Sequence, residues 1–300
     1  MAFEPPQRLV RALGEMPQDG GEGTAGWLAE LPATVEKALS LRELTAQRVL
    51  EPGGRSSLVV LVEYTDGTPA ALKFAPPVAR PERELAALGH WGGFGAVRLL
   101  DSRHHDGALL LERLRPEISL RSLPESKALL EAAGIIRRLW VTPPAGHPFE
   151  TVAEHTRRQL TVLERAPSEV ADLVAAARAA QAELAPTPPE ELLLHGDFKQ
   201  GKVLAGERAP WLAVGPDPLV GERAYDLARL VRDRLDDQVA ASGGAAAARR
   251  RVNRLADSLE VDRERLRGWT LFRAVESGAR ALTAGRRQDA ELLLEFAAWL

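Results

Sequence analysis

The chain has no cysteine, which excludes thiol nucleophiles, disulfide staples and cysteine-ligated metal centres and suits a reducing compartment. Lysine is scarce. Of 39 basic residues only Lys37, Lys73, Lys127, Lys199 and Lys202 are lysines, so each merits inspection. The basic residues are outweighed by 42 acidic ones, giving a formal net charge of −3, which argues against the basic footprint of a general nucleic-acid binder. No apolar run approaches the ~20 residues that cross a bilayer. The opening MAFEPPQRLVRALGEM lacks the apolar core of a secretory signal. The expectation is a cytoplasmic protein with neither nucleic acid nor membrane as partner.

What is present is a change of period along the chain. A chain of 300 residues suggests two domains and buries roughly three quarters of its unfolded surface. Residues 22–40 carry helical apolar spacing at Trp27, Leu28, Leu31 and Val35. Three β-branched and apolar runs follow at 43–50, 57–65 and 68–75, then a short helix at 81–90 and two more strands at 96–101 and 108–114. Asp66-Gly67 marks a tight hairpin. After Leu114 helices dominate, over 125–140, 150–166, 168–184, 222–240, 245–258, 262–284 and 287–299, with a break near Ser242-Gly243-Gly244. Short strands flank a His-Gly-Asp segment at about 191–195, 202–205 and 211–214. This predicts an α+β, bilobal protein-kinase-like fold: a five-stranded lobe with one helix over 1–114, and a larger helical lobe over 115–300.

Two segments carry chemistry: ELLLHGDFKQGKVL (191–204) and WLAVGPDPLVGERAYDLARL (211–230). Phosphoryl transfer asks for a lysine on phosphate oxygens, a carboxylate to pin it, a base for the acceptor hydroxyl, and metal ions bridging the phosphates. In the kinase arrangement a metal-binding Asn follows the base by five positions, and a metal-binding Asp sits on the next hairpin. Asp197 occupies the base position. Lys202 stands where the Asn belongs and Gly215 where the Asp belongs. A lysine has three donors and no acceptor, glycine has no side chain, and magnesium wants oxygen ligands, so no metal-ligating residue is expected.

The chain resembles the aminoglycoside phosphotransferase superfamily, in its streptomycin 6-kinase/hydroxyurea phosphotransferase branch. The resemblance rests on AGWLAELP (25–32), RSSLVVLVEYTDGTPAALKF (55–74), HWGGFGAVRLLD (90–101), ALLLERL (108–114), RLWVTPPAGHPF (138–149) and the 191–230 region. It implies an ATP-dependent kinase of a small-molecule hydroxyl on an antibiotic or metabolite, with ATP as cofactor and magnesium expected for the family but disfavoured here. It implies Asp197 as base, Lys73 as phosphate clamp, and Glu84 as its anchor in preference to Glu82. Glu112 to Leu114 would be the adenine hinge, Gly53 to Ser57 (including Gly54 and Ser56) the nucleotide-covering turn, and Asp226 a brace for the catalytic loop; at Lys202 the chain departs from the family, and in a pseudokinase reading Lys202 stands in for the metal's charge against phosphate.

Three readings stay open: a pseudokinase that binds nucleotide or a protein partner, a weak enzyme in which Asp217 rescues one metal contact, and an inactivated form of an ordinary drug kinase. A cationic drug needs acidic lining, and Asp233, Asp236, Asp237, Glu276 and Asp289 are the candidates. His195 reads as a structural hydrogen-bonder, Lys199 as a solvated loop lysine in preference to a phosphate or substrate contact, and Trp91, Trp140 and Trp269 as packing. His104 and His105 read as turn residues and poor metal ligands.

Overall fold

The computed structural model describes residues 3–15, 21–103, 107–240 and 243–300. His104, His105 and Ser242 lie outside them. The chain divides into two compact units, one of Met1–Arg115 with Gly206–Pro210, the other of Pro116–Ala205 with Trp211–Leu300.

The first unit starts with two helices, α1 (Gln7–Gly14) and α2 (Gly21–Leu41), followed by strands β1 (Thr45–Val49), β2 (Leu58–Glu63) and β3 (Pro69–Phe74). Helix α3 (Pro81–Trp91) comes next, then β4 (Leu99–Arg103) and β5 (Ala108–Glu112). The strands form one antiparallel sheet in the order β1-β2-β3-β5-β4. Period-two alternation decides its faces. Leu58, Val60 and Val62 of β2 and Ala70, Leu72 and Phe74 of β3 join Leu9 and Leu13 of α1 and Leu31 and Val35 of α2 in one buried cluster. Each buried leucine or phenylalanine contributes about 2 kcal/mol. Lys73 falls between Leu72 and Phe74, so the same alternation turns it to the opposite face. Asp66-Gly67 forms the expected hairpin, with Gly67 at φ 83 and the Tyr64 N–H donating to Thr68 O.

The second unit opens with β6 (Arg115–Ser119) and α4 (Glu125–Leu139), then β7 (Glu150–Thr151), α5 (Val152–Glu164) and α6 (Ala171–Leu184). Three short strands, β8 (Leu192–Leu194), β9 (Val203–Ala205) and β10 (Trp211–Ala213), precede β11 (Leu219–Gly221). The remainder is helical: α7 (Arg223–Val231), α8 (Leu235–Ala240), α9 (Gly244–Leu259), α10 (Arg263–Thr283) and α11 (Arg287–Ala298). Two three-stranded sheets result, β10-β9-β6 and β7-β11-β8. Helix α10 is the hub, packing on α5, α6, α7, α9 and α11. Its Leu266, Trp269, Phe272, Ala274 and Val275 are fully buried.

The sequence reading is corrected in three places. Helix α1 and strands β6, β7 and β11 were not anticipated. The short strands carry too few residues for a period to register, and their pairing partners are remote in sequence. The single helix expected over 222–240 is two, α7 and α8, with Arg234 between them in the left-handed region at φ 54.

Candidate active site

In the first unit Lys73 and Glu84 meet. Strand β3 presents Lys73 on the face away from the cluster, and the first turn of α3 presents Glu84. The two form an ion pair, with both side chains largely buried, at 11% and 7% exposure. Glu82, the alternative partner, is exposed. Glu84 Oε1 is buried without a hydrogen-bond partner. Gly54 and Ser56 sit in the turn between β1 and β2, where Gly53 has φ 68 and Arg55 pairs with Glu15 of the segment after α1. Glu112 ends β5. Its amide donates to Arg98 O, and its carboxylate accepts from the Arg98 amide and the Arg208 guanidinium. Leu114 is buried.

In the second unit the chemistry gathers around Asp197. The loop 195–202 between β8 and β9 is stapled to the segment after β10. Asp217 N–H donates to His195 O and Val214 N–H to Lys202 O. His195 Nδ1 accepts from the Asp197 amide at 3.3 Å, which leaves Nε2–H to donate to Val214 O at 3.2 Å; His195 is thus structural, as expected. Gly196 has φ 77, and a Cβ there would collide with the Asp217 carbonyl, so only glycine fits this crossing. Asp226 of α7 accepts from the amides of His195 and Gly196, each at 2.9 Å, and from Trp140 Nε1 at 3.2 Å. Trp140 is therefore a polar partner of this carboxylate and not packing alone. Burial pushes the Asp226 carboxyl up, against these hydrogen bonds.

Three cations converge on Asp197. Lys202 Nζ lies 2.5 Å from Oδ2 and donates to Gly215 O at 2.6 Å. Arg229 Nε donates to Oδ1 at 2.8 Å. Lys199 Nζ is 4.0 Å from Oδ2. Burial alone would raise the Asp197 carboxyl, but Lys202, Arg229 and Lys199 hold it well below the usual carboxylate range. Lys199 is pushed down to about 8, first by burial and then by Arg229 and Lys202, with Asp197 opposing. It is partly buried beside Asp197, which corrects its reading as a solvated lysine.

Magnesium does not fit this centre. The Lys202 ammonium bridges Asp197 Oδ2 and Gly215 O, and a second cation about 4 Å away would be repelled by ~4 kcal/mol in a protein-surface dielectric. No group of three His, Asp or Glu side chains suited to a metal occurs among the described residues. Asp217 is exposed, its amide donates to His195 O, and its charge acts on His155 and Tyr225.

The acidic residues proposed to line a drug site are mostly neutralised by arginines. Asp233 accepts from the Gln200 and Arg234 amides and lies 3.9 Å from Arg121. Glu276 pairs with Arg280 and Asp289 with Arg286, while Asp236 and Asp237 are exposed on α8. Sequence reasoning missed Arg229 and Arg273, whose guanidinium donates to Gly196 O and Tyr225 O. A signal existed for Arg229. It follows Asp226 by three positions on α7, one turn along the same face.

Residues 42–285 match the family described as aminoglycoside/hydroxyurea antibiotic resistance kinase. A streptomycin 6-kinase from Streptomyces glaucescens is 38% identical over 274 residues, 89% of this chain and 86% of that protein. A hydroxyurea phosphotransferase from Kitasatospora aureofaciens is 35% identical over 289 residues, 90% of this chain and 81% of that one. Among solved structures, an aminoglycoside phosphotransferase from Streptomyces rimosus in complex with ADP and streptomycin superposes with a TM-score of 0.55 at 18% identity, covering 81% of this chain and 97% of that one, which shows the shared kinase-like fold. With its Lys73–Glu84 pair, its Asp197 loop and this extent of similarity, the chain belongs to the aminoglycoside/hydroxyurea antibiotic resistance kinase family.

Proposed function

We infer that this chain is an ATP-binding antibiotic-kinase scaffold whose phosphoryl transfer to a small-molecule hydroxyl is severely reduced. The first unit would be the nucleotide lobe, with Lys73 on phosphate oxygens, Glu84 anchoring it, Gly54 and Ser56 in the covering turn, and Glu112 and Leu114 at the adenine hinge. The second unit would carry the acceptor. Asp197 would take the proton of the acceptor hydroxyl as its oxygen attacks the terminal phosphorus of ATP and ADP departs.

One observation carries the reduced activity: Lys202 Nζ bridges Asp197 Oδ2 and Gly215 O. It blunts the base and takes the metal's place. A positioned base is worth 10²–10⁴-fold, so masking it and excluding the metal leaves little transfer. The same bridge supports a second reading, a pseudokinase that binds nucleotide, or a protein partner, without turnover.

The test is mass-spectrometric detection of phosphorylated streptomycin and hydroxyurea with ATP and magnesium, comparing this chain with Lys202→Asn/Gly215→Asp. Gly215 has φ 61, a left-handed conformation that strains side-chain-bearing residues, Asp less than most, so a folding check by circular dichroism accompanies the variant. The expected result is product from the variant, and at least about 100-fold less from the unaltered chain. Equal turnover by both sinks the reading of Lys202 and Gly215.

A further inference from the structure

We propose that the Asp197 centre binds a phosphate-bearing anion directly through Lys199, Lys202 and Arg229, with no divalent cation. The choice of nucleotide as one source of that anion rests on the functional reading above; the site itself rests on the side chains.

The charge balance is the first support. Three cations face one carboxylate within 4.0 Å, a local formal excess of two positive charges. Of the nearby acids, Asp226 is engaged by two amides and an indole, and Asp233, which accepts from two amides and lies 3.9 Å from Arg121, offsets part of the excess at Lys199. Arg232, buried just past the end of α7, is a further cation that interacts with Arg229 and Asp197, with Glu276 opposing. Accessibility is the second. Lys202, Arg229 and Lys199 keep 25%, 26% and 35% of their side-chain surface exposed. Donor capacity is the third. Lys202 uses two of its three N–H groups, on Asp197 and Gly215 O, and Arg229 binds Asp197 through Nε, leaving its two terminal amino groups.

Ammonium and guanidinium groups together suit a tetrahedral oxyanion of more than one charge. Lys202 then supplies, as a fixed positive charge, the neutralisation a metal gives elsewhere. A cationic amine meets repulsion at the same place. The shared chemistry is a phosphate group, carried by a nucleotide polyphosphate or by a phosphorylated small molecule.

The experiment is titration calorimetry of the full chain in EDTA, with inorganic tripolyphosphate, ATP and adenosine as probes, repeated with magnesium. Tripolyphosphate is expected to bind in EDTA, no more weakly than in magnesium. Lys202→Gln should weaken it roughly tenfold, as loss of one charge-assisted contact does, whereas Asp197→Asn should tighten it by freeing the cations. The arms separate the two ideas. If ATP and tripolyphosphate bind only with magnesium, the proposal falls and the nucleotide reading stands. If tripolyphosphate binds in EDTA but neither ATP nor adenosine binds in any condition, the proposal stands with a phosphorylated small molecule as ligand, and the nucleotide reading falls. Tripolyphosphate binding by the unaltered chain in neither buffer, or undiminished binding by folded Lys202→Gln, overturns it.

Discussion

Asp197 is ordinary in sequence and extreme in its surroundings. Its folded value lies below its unfolded one. The stability it contributes is therefore present above the ordinary carboxylate range and is lost as pH falls through the depressed folded value. Lys199 is lowered too, but for a different reason: burial favours its neutral form, down to about 8. Between that value and the ordinary 10.5 the unfolded chain binds the extra proton, so this residue's contribution to stability rises with pH across that window. Site-resolved amine labelling is expected to reach half its maximum near pH 8 at Lys199. A midpoint near ~10.4, the free-lysine value, would contradict its burial among cations. Lys37 and Lys127 are exposed and serve as internal references. Nothing in DFKQGKVL distinguishes Lys199 from a solvated loop residue. Its company is Arg229, 30 residues later, and only the tertiary structure introduces them.

At the scale of elements, helix α7 organises the 195–202 loop. Asp226 holds two loop amides and the Trp140 indole, while Arg229, one turn on, holds Asp197. Asp226→Ala orphans three donors, two of them buried amides, and is expected to cost about 3 kcal/mol in urea unfolding. A loss under about 1 kcal/mol would remove α7 from this bracing role. Helix α5 offers a contrasting case. Thr151 and Glu154 form a reciprocal capping box at its start, a signal written in four consecutive residues, and the helix was legible from sequence. The short strands β7 and β11 were not, because two or three residues define no period and their pairing is set by distant partners.

At the scale of the molecule, chain order and unit membership part company. Gly206–Pro210, the tip joining β9 to β10, belongs to the first unit. Arg208 ties it there, with its guanidinium on the Glu112 carboxylate and Ala96 O. Arg208→Ala is expected to lower stability by about 1 kcal/mol, the scale of a partly exposed bidentate pair. Chemical unfolding monitored by circular dichroism would read it, and an unchanged midpoint would mean the tip is held by other contacts. No described helix is long and apolar enough to cross a membrane.

The sequence by itself determined what local patterns encode. Period-two runs gave the five-stranded sheet, helical periods gave most of the helices, and the kinase spacing from Asp197 to Lys202 and Gly215 located two positions whose residues offer magnesium no side-chain oxygen. Its resemblance to the family implied the pairing of Lys73 with Glu84, which the structure then shows as an ion pair. The tertiary structure decided what depends on approach in space. It set Lys202 and Arg229 on the two oxygens of Asp197, neutralised Asp233 and Glu276 with arginines, and made Trp140 a hydrogen-bond donor. Charges act over ångströms and not along the chain, so the character of the Asp197 centre emerges only when loop, hairpin and helix α7 are folded together.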